Sequence, residues 1–466
     1  MGDSTGTRTD LTALLERQRA YFKSGATRPH AFRRDQLNKL ERSIRAWEEE
    51  ILAAVWNDLK KGEFEGFSTE IGVVRDEKKL MRRRFRRWMK QRRVASSVVH
   101  FPASSRIVPA PKGVVGIMSP WNYPFQLLIA PLVPAIAAGN CVMLKPSEAS
   151  PNTEEVLRHM IRETFDPAYV SIVTGDNEVG RAFSELPLDH LFFTGSTAIG
   201  RKVAVAAAQN LTPTTLELGG KSPAIVDGAV DLEVVARRIV WGKLINAGQT
   251  CVAPDYIVAC RTVVDDLVQR MSRVIEQFFG PDPRESEDYG RIISSRHFDR
   301  LVTLLERSRQ RDRIVHGGRV DRDRLYIEPT VVRLADWESP LMEEELFGPI
   351  IPVLEYDDDD TLIERLQTKE HPLALYLFTR SQDLERRVVE RLQFGGATIN
   401  DTVVHLVNPR LPFGGVGSSG YGSYHGRYGF DAFSHYKSIK KRGWLDIPLK
   451  YPPYGDRAKL IRRVMG

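Results

Sequence analysis

Cys251 is the residue whose type and setting best suit covalent chemistry. It follows the small and polar residues Asn-Ala-Gly-Gln-Thr at positions 246–250. Cys141 and Cys260 instead adjoin apolar residues, so we expect both to be buried small hydrophobes. A nucleophilic cysteine needs an accessible position that stabilises its thiolate, and only Cys251 has a suitable setting. A structural cysteine is the alternative interpretation.

Glu217 is the candidate general base. It interrupts the stretch Thr-Leu-Glu-Leu-Gly-Gly at 215–220, which otherwise resembles the end of a buried strand. Desolvation at such a position raises the pKa of a carboxyl toward that of a useful base. The alternative is that strand alternation turns the Glu217 side chain toward solvent.

Two short segments have the chemistry that holds a dinucleotide. The hexapeptide Gly-Ser-Thr-Ala-Ile-Gly at 195–200 follows an apolar strand at 191–193 and leads into a helix at about Ile199, whose free amides can hold a pyrophosphate. Lys145 ends another apolar strand, and Glu148 follows it, so the pair could bracket ribose hydroxyls. The alternatives are a plain strand–turn–helix and a surface ion pair worth under ~1 kcal/mol.

Two other glycine-rich stretches imitate phosphate loops. The segment 415–420 matches G-x-G-x-x-G, but no predicted strand precedes it and no regular helix follows. Gly-Gly-Lys-Ser at 219–222 resembles the end of a P-loop, yet the first glycine of that motif would fall on Thr215. Neither segment is predicted to bind phosphate in these ways.

The elements around these residues alternate between strands and helices. Short apolar runs lie at 114–118, 141–144, 170–173, 191–193 and 215–218, and segments of helical length lie between them at 125–138, 153–164, 178–185 and 199–209. This pattern predicts an α/β fold with a parallel sheet covered on both faces, whose ligands bind at the carboxyl ends of the strands. A second αβ region runs from 222 to about 395, with strands at 224–226, 256–259 and 373–378. The first ninety residues are predicted to be helical, with Ser68 or Thr69 capping one helix.

Composition excludes several classes of protein. The chain has 466 residues with 42% hydrophobic and 27% charged content, as ordinary globular proteins have. Three cysteines are too few for a disulfide framework, which favours a reducing, cytoplasmic setting. No apolar stretch is long enough to span a bilayer, and 67 basic residues are balanced by 60 acidic ones, so nucleic-acid binding is not expected. No metal site is predicted.

Seven ordered motifs resemble the aldehyde dehydrogenase superfamily over nearly the whole chain, and 34 residues separate Glu217 from Cys251, as in that family. The motifs are Pro-Trp-Asn-Tyr-Pro at 120–124, Leu-Lys-Pro-Ser-Glu at 144–148, Phe-Thr-Gly-Ser-Thr at 193–197, Leu-Glu-Leu-Gly-Gly-Lys-Ser-Pro at 216–223, Gly-Gln-Thr-Cys at 248–251, Glu-Glu-Leu-Phe-Gly-Pro at 344–349 and Leu-Pro-Phe-Gly-Gly-Val-Gly at 411–417.

The resemblance implies a mechanism and a set of roles. Cys251 would attack the aldehyde, and the Asn122 amide together with the Cys251 backbone N–H would hold the oxyanion. Hydride transfer would leave a thioester, which water activated by Glu217 would hydrolyse to the carboxylate. NAD or NADP would be held by eight residues, namely Trp121, Lys145, Glu148, Gly195, Ser196, Leu218, Glu345 and Phe347.

The same resemblance implies an organisation. A Rossmann-like cofactor domain would occupy 1–215, with a bridging hairpin near 94–112, and an α/β catalytic domain would occupy 216–400. Residues 401–466 would return to the cofactor domain and add a bridging strand and a tail. The short N-terminal arm and the glycine-rich segment 417–426 look like the class 3 branch of fatty and aromatic aldehyde enzymes. That branch implies a homodimer, with Asn400 and His405 near the substrate funnel.

The basic run at 82–93 (Arg-Arg-Arg-Phe-Arg-Arg-Trp-Met-Lys-Gln-Arg-Arg) matches no motif of the family. Its apolar residues recur at helical spacing, so it is either a solvated helix face with three core anchors or a peripheral membrane contact. Two other hypotheses stay open from the sequence, a relative that only binds ligands and a basic nucleic-acid-binding protein.

Overall fold

The parallel sheet expected around residue 114 is present in a computed structural model, which describes residues 4–96, 102–445, 451–455, 457, 459 and 462–463. The chain alternates helices and strands as the apolar runs predict. The α-helices are α1 (Ser4–Lys23), α2 (His30–Ala46), α3 (Glu48–Leu59), α4 (Glu63–Gly66), α5 (Val73–Trp88), α6 (Gln126–Ala138), α7 (Pro151–Thr164), α8 (Asn177–Ser184), α9 (Thr197–Ala208), α10 (Leu232–Leu244), α11 (Val264–Phe279), α12 (Ser295–Ser308), α13 (Asp359–Gln367), α14 (Gln382–Arg391) and α15 (Gly426–Ala432).

The strands belong to four sheets. They are β1 (Arg92–Val94), β2 (Ala103–Pro111), β3 (Val114–Met118), β4 (Cys141–Lys145), β5 (Val170–Ile172), β6 (His190–Thr194), β7 (Thr214–Glu217), β8 (Pro223–Val226), β9 (Tyr256–Cys260), β10 (Arg313–His316), β11 (Val320–Asp321), β12 (Tyr326–Ile327), β13 (Thr330–Arg333), β14 (Ile350–Tyr356), β15 (Ala374–Phe378), β16 (Gly396–Ile399), β17 (Gly420–Tyr421) and β18 (Ser434–Arg442).

A six-stranded sheet carries the sites predicted for the cofactor. Its order is β17-β7-β6-β3-β4-β5, and all neighbours are parallel except β17 and β7. The strands β3, β4 and β6 are buried along almost their whole length because helices cover both faces of the sheet. Helix α6 is buried throughout, prolines included. The carboxyl ends of β6, β3 and β4 therefore meet at one edge.

A seven-stranded sheet follows in the chain, with the order β10-β13-β14-β9-β8-β15-β16. It is parallel apart from the pair β10 and β13. The strands at 224–226, 256–259 and 373–378 are confirmed within a few residues. The short loop that ends in Cys251 leads into β9, so this sheet positions the predicted nucleophile.

A third sheet is antiparallel and has the order β1-β2-β18. Strand β2 pairs with β18 over its full length, from Ala103 opposite Arg442 to Pro111 opposite Ser434. The predicted hairpin near 94–112 overlaps this sheet, although residues 97–101 lie outside the described residues. The division of the chain at 215 and 400 stays a prediction. None of the described helices has the length and apolar character needed to cross a membrane.

The N-terminal region is helical, as expected, but one cap is not formed. Residues Phe67–Gly72 form a π-helix that joins α4 to α5 without a break. The hydroxyls of Ser68 and Thr69 donate to the backbone carbonyl of Glu65, at 3.3 and 2.7 Å. Their predicted capping role was wrong because the chain is already helical where they stand.

Candidate active site

Glu217 ends strand β7 and is 2% exposed. Neither of its carboxylate oxygens has a hydrogen-bond partner within the part of the chain that the structure describes. Burial raises the pKa of this carboxyl well above its ordinary value. The solvent-facing alternative was wrong, because this sheet is covered on both faces and alternation along β7 leads from one buried layer to another.

Cys251 follows a tight turn in which Asn246, Ala247 and Gly248 all have positive φ, at 53°, 50° and 78°. The side chain is half-buried. Burial first, and then the carboxylates of Glu345 and Glu217, raise the pKa of the thiol to about 12. Burial and both nearby carboxylates oppose formation of the thiolate in the protein alone, whereas the backbone N–H groups of Cys251 and Val252 bond the sulfur and favour it.

The other two cysteines differ from each other. Cys141 is fully buried in β4, and burial raises the pKa of its thiol to about 12. Cys260 is half-buried at the end of β9, with its sulfur 3.2 Å from the Thr262 hydroxyl. The prediction of a buried hydrophobe holds for Cys141 and was wrong in degree for Cys260, because the strand end leaves one side open.

Asn122 lies in the loop after β3 and is 2% exposed. Its side-chain Nδ2 donates to the backbone carbonyl of Gln249 at 3.0 Å, while its Oδ1 has no partner among the described residues. Because Gln249 is two residues before Cys251, this hydrogen bond ties the Asn122 loop to the nucleophile turn. An amide nitrogen has two hydrogens, so one remains for another acceptor.

Three buried tyrosines complete the surroundings of Cys251. The Tyr123 hydroxyl is 2.6 Å from the Thr250 hydroxyl, and the Tyr376 hydroxyl donates to the Val252 carbonyl. For Tyr424, burial first and then the charges of Glu217 and Cys251 raise the pKa of the phenol well above its ordinary value. Sequence reasoning missed all three as site residues, because the position of a tyrosine in the sequence does not show which cavity it lines.

Lys145 and Glu148 lie beyond the end of β4. The Lys145 Nζ is 3.3 Å from Glu148 Oε2 and 2.7 Å from the Pro146 carbonyl. The Lys145 side chain is 3% exposed, whereas that of Glu148 is 38% exposed. The alternative of a surface ion pair was therefore wrong for Lys145, whose ammonium is held within the fold while the carboxylate faces outward.

Gly195 and Ser196 connect β6 to α9. The Ser196 hydroxyl accepts from the Ile199 backbone N–H at 3.4 Å and caps the helix, which begins at Thr197. A Cβ on Gly195 would lie 2.6 Å from the Phe193 ring, so this position accommodates only glycine without a shift. Leu218 packs closely over the same helix, because a Cβ on Gly200 would lie 2.5 Å from its side chain.

Glu345, Phe347 and Trp121 are the remaining residues predicted to bind the cofactor. Glu345 is half-buried against Gly219, where a Cβ would lie 2.2 Å from its Oε2, and it accepts from the Gly220 backbone N–H. Burial first, and then the Asp255 carboxylate, raise the pKa of Glu345 to about 8. Phe347 has a φ of 52° and meets the Trp121 ring edge-on, with the ring centroids 5.4 Å apart.

The side chains of Asn400 and His405 both have polar partners within the protein. The Asn400 side chain bonds both the backbone N–H and the carbonyl of Thr379, at 2.9 Å each. The His405 Nδ1 lies 3.0 Å from the Thr398 hydroxyl, and burial lowers the pKa of its imidazole to about 4.

The structure thus brings Asn122, Glu217, Cys251 and Glu345 together, and we call these four residues the pocket. The loop of Asn122 bonds the turn of Cys251, and the charges of Glu217 and Glu345 both act on the Cys251 sulfur. The pair Lys145 and Glu148 and the turn 195–196 follow β4 and β6, on either side of β3, at the same edge of the sheet as Asn122.

Known proteins share this architecture. A model of the aldehyde dehydrogenase family matches residues 4–439. The 4,4'-diaponeurosporen-aldehyde dehydrogenase of Staphylococcus aureus is 44% identical, with 95% of this chain and 96% of that protein covered. Aldehyde dehydrogenase family 3 member H1 of Arabidopsis thaliana is 43% identical, covering 97% and 93%. The dimeric NADP-preferring aldehyde dehydrogenase of Mus musculus is 40% identical, covering 95% and 98%.

Among solved structures, that of Staphylococcus aureus AldH in its substrate-bound state superposes with a TM-score of 0.95. It is 43% identical, and the match covers 98% of this chain and 99% of that one. The agreement extends through both large sheets.

Proposed function

The chain belongs to the aldehyde dehydrogenase family and resembles its class 3 members, and from that premise we propose which of its residues perform the reaction. The protein is an oxidoreductase that oxidises aldehydes to carboxylates with NAD or NADP. The observation that carries the residue assignment is Glu217, a buried carboxylate with neither oxygen partnered, whose charge acts on the sulfur of Cys251.

Cys251 is the nucleophile in this proposal. Its deprotonated sulfur attacks the aldehyde carbon, a C–S bond forms, and the carbonyl oxygen becomes an alkoxide. Since the pKa of the thiol is raised to about 12, the attacking thiolate is scarce in the free protein and becomes more abundant as the pH rises.

Asn122 is the oxyanion donor. Its Nδ2 keeps one hydrogen on the Gln249 carbonyl and directs the other, together with the Cys251 backbone N–H, at the alkoxide. A fixed donor of this kind in a site shielded from water typically contributes ~3–4 kcal/mol to the transition state.

Glu217 is the base of the second half-reaction. Once the acyl group is a thioester on Cys251, a water gives a proton to the Glu217 carboxylate and its oxygen attacks the acyl carbon. The C–S bond then breaks and the carboxylate product leaves. Desolvation suits Glu217 to this step, because it makes the carboxylate a stronger base than one in water.

The cofactor residues fit a dinucleotide. The ends of β6, β3 and β4 form one edge, where the Lys145 ammonium supplies a fixed cation and the start of α9 at Thr197 supplies free backbone amides. When bound, the nicotinamide accepts the hydride from the tetrahedral carbon. We assign Lys145 and Glu148 to a ribose, and Gly195, Ser196 and Leu218 to the pyrophosphate region.

The nicotinamide end is assigned to Glu345, Trp121 and Phe347. Glu345 would bind the adjacent ribose, and the ring pair of Trp121 and Phe347 would pack beside the nicotinamide. The assignment of Glu345 is supported by its contacts with Gly219 and Gly220, close to Glu217 in the chain, and by its charge, which acts on the Cys251 sulfur.

Organisation and setting are also part of the proposal. A homodimer is supported by the 40% identity to the mouse dimeric enzyme. A cytoplasmic, reducing setting is supported by three cysteines that are all free. The domain division at 215 and 400 is supported by the sheets, since β3–β6 lie before the first boundary, β7 spans it, and β8–β16 lie between the two boundaries.

The three apolar residues of the basic run at 82–93 lie in or against the core, as the interpretation of a solvated helix face predicts: Phe85 is buried, and Trp88 and Met89 pack against the core. The membrane hypothesis rests on the cations of the run. Seven exposed cations lie along the surface of α5 and the turn after it, namely Lys79, Arg82, Arg83, Arg84, Arg86, Arg87 and Lys90. Within the described ranges none of them has an ion-pair partner, whereas most other surface arginines do. Peripheral attachment to anionic lipid would suit an enzyme of lipid-derived aldehydes.

Sedimentation with vesicles of phosphatidylcholine and phosphatidylglycerol in equal parts tests this surface. Changing Arg82, Arg83, Arg86 and Arg87 together to Gln should abolish sedimentation. A matched variant carries Gln at four arginines that already have carboxylate partners, namely Arg270, Arg307, Arg322 and Arg386. Equal binding by both variants would contradict the proposal, and salt-dependent binding of DNA without vesicle binding would assign the surface to nucleic acid instead.

The activity itself is tested by the absorbance of reduced cofactor with a graded panel of aliphatic, aromatic and semialdehyde substrates. The wild type should reduce NAD or NADP with at least one class, and free acid should form in equal amount. A protein that binds cofactor but reduces none with any aldehyde would instead support a purely ligand-binding role.

A further inference from the structure

A fully buried ion pair lies behind the proposed oxyanion donor. The Lys61 Nζ is 2.6 Å from Glu70 Oε1, and both side chains are 0% exposed. Lys61 belongs to the connection between α3 and α4, and Glu70 belongs to the π-helix at Phe67–Gly72. Withdrawing two charges from water is costly unless the geometry and additional hydrogen bonds compensate, so a pair like this one requires a specific explanation.

The additional hydrogen bonds of the pair both go to the loop that carries Asn122. Lys61 Nζ donates to the Asn122 backbone carbonyl at 2.8 Å and lies 3.8 Å from the centre of the Tyr123 ring. Glu70 Oε2 accepts from the Gln126 backbone N–H at 2.9 Å, where α6 begins. One ion pair therefore fixes both ends of the segment 122–126.

The same segment is tied to the nucleophile turn. The side-chain Nδ2 of Asn246 donates to the Asn122 carbonyl at 2.8 Å and to the Gln249 carbonyl at 3.0 Å. The Asn246 backbone N–H donates to Glu65 Oε1 at 2.7 Å. The Asn122 carbonyl thus receives two donors, one from the N-terminal helices and one from the turn before Cys251.

Helix α4 and the π-helix that continues it supply the acceptors of this arrangement. Glu65 of α4 and Glu70 of the π-helix lie close enough for their charges to interact, and each accepts a different backbone N–H near the pocket. Widened turns of this type cost stability and occur frequently at functional sites. Here the distortion lets one short segment hold both loops that meet at the reacting centre.

We propose that Lys61, with Glu70 as its counter-ion, is a positioning residue that fixes Asn122 for stabilisation of the oxyanion. The proposal rests on the role assigned to Asn122 above. Lys61 touches only the backbone of Asn122, so it acts through the direction of the Asn122 side chain. Oxyanion donors are effective because they need no reorganisation during the reaction, and displacement of such a group by about 1 Å can cost on the order of 10²-fold in rate.

The test is the pre-steady-state burst of reduced cofactor, which reports formation of the thioester and is independent of its hydrolysis. Four variants are compared with the wild type: Lys61→Met, Lys61→Met with Glu70→Gln, Asn122→Ala, and Lys61→Met with Asn122→Ala. The Gln at 70 removes the charge that Lys61→Met would leave unpaired, and it keeps an acceptor for the Gln126 N–H. Folding is followed by thermal unfolding.

A matched control is available in the same helical layer. Lys78 is 9% exposed at its side chain and pairs with Glu41 at 2.9 Å, but no hydrogen bond joins it to the Asn122 loop. Lys78→Met removes a buried lysine of the same kind and should leave the burst rate unchanged while lowering the Tm.

We expect both Lys61 variants to slow the burst by about 10-fold to 100-fold. The variant with Gln at 70 should do so with a Tm near that of the wild type. Adding Asn122→Ala to Lys61→Met should slow the burst little further than Asn122→Ala alone, because the two residues act as one unit.

Other results would overturn parts of the account separately. A wild-type burst in the Lys61→Met, Glu70→Gln protein, or fully additive losses with Asn122→Ala, would remove the positioning role. Failure of both Lys61 variants to fold would mean that the ion pair is needed for folding, and this result would also contradict the positioning role. A wild-type burst in Asn122→Ala would instead contradict the proposed role of Asn122 itself.

Discussion

The pocket around Cys251 and the edge that we assign to the cofactor treat their polar groups differently. In the pocket, both oxygens of Glu217 and the Oδ1 of Asn122 are buried without a hydrogen-bond partner among the described residues. At the edge, the Lys145 ammonium already has two oxygen partners, and Ser196 already caps a helix. The groups buried there without a partner among the described residues, the hydroxyls of Ser119 and Thr194, are neutral. Glu217 and Asn122 belong to the same six-stranded sheet as this edge, whereas Cys251 lies in the loop before β9 of the seven-stranded sheet.

The difference indicates where the fold gives up stability. A buried polar group without a partner costs about 1–3 kcal/mol, and more if it is charged. A protein retains such groups where substrate, water or a developing charge will meet them. Changes in the pocket should therefore alter the chemical steps, whereas changes at the edge should alter cofactor affinity.

The largest effect is expected at the nucleophile. Cys251→Ala should lower kcat by at least about 10⁴-fold, because no other group can form the thioester. The measurement is the rate of cofactor reduction, with Cys260→Ala as the control, since that half-buried thiol contacts only Thr262 through its sulfur. Substantial activity in Cys251→Ala would mean that the reaction does not take place on a thiol in this pocket.

Glu217→Gln should have the next largest effect. Loss of a positioned base should lower the steady-state rate by about 10²-fold to 10⁴-fold. The pH profile of the wild type follows from the raised pKa of Glu217. Hydrolysis needs the carboxylate, so kcat should fall as the pH drops through a pKa well above that of an ordinary glutamate.

The pH profile of Glu217→Gln is the control for this fall in kcat at low pH. Because the amide does not titrate, the fall on the acid side should disappear in the variant. A fall in kcat at low pH that persists unchanged in Glu217→Gln would mean that another group is the base.

Lys145→Met should affect the edge alone. We expect KM for the cofactor to rise about 10-fold while kcat stays within about twofold, the pattern of lost ground-state binding. Lys112→Met is the matched control, because Lys112 precedes β3 at the opposite end of the sheet and bonds His190 at 2.9 Å. A drop in kcat without a change in KM would break the contrast between the two regions.

Glu345→Gln should have the smallest effect of the four, seen in the thiol itself. The Glu345 carboxylate is the strongest charge that raises the pKa of Cys251. Replacing it with an amide should speed alkylation of Cys251 by iodoacetamide about threefold to tenfold at about pH 9, without cofactor present.

The pKa of Glu345, about 8, supplies the control for that measurement. Well below this pH the wild-type carboxyl is already protonated, so wild type and variant should be alkylated at similar rates. Equal alkylation rates at both pH values would mean that the charge of Glu345 does not act on the Cys251 sulfur. Of the residues around Cys251, the pocket would then include Glu217 and Asn122 but not Glu345.

The sequence predicts the six-stranded sheet well, for a simple physical reason. Strands buried on both faces must be continuous apolar runs, and β3, β4 and β6 are such runs. Strand β14 was missed although it is central in its sheet. It contains Pro352, which removes a donor from the hydrogen-bonded ladder and argues against a central strand.

The site could be predicted in its residue types but not in its electrostatics. Motifs identified Cys251, Glu217 and Asn122, yet the raised pKa of the thiol depends first on burial and then on the charge of Glu345, which is 94 positions away in the chain and is brought near only by the fold. No feature of the sequence pointed to Lys61 as part of the site. It stands in the polar run Lys-Lys-Gly-Glu at 60–63, which is typical of a solvated loop, and only tertiary packing buries it.

The most direct test of the central claim is to trap the acyl-enzyme. Glu217→Gln is mixed with aldehyde and cofactor, quenched in acid, digested, and analysed by mass spectrometry for a thioester on the peptide that contains Cys251. The account predicts close to one acyl group per pocket on Cys251, formed together with one equivalent of reduced cofactor, and a far lower occupancy in the wild type. Reduced cofactor released over many turnovers with no acyl group on Cys251 would contradict it.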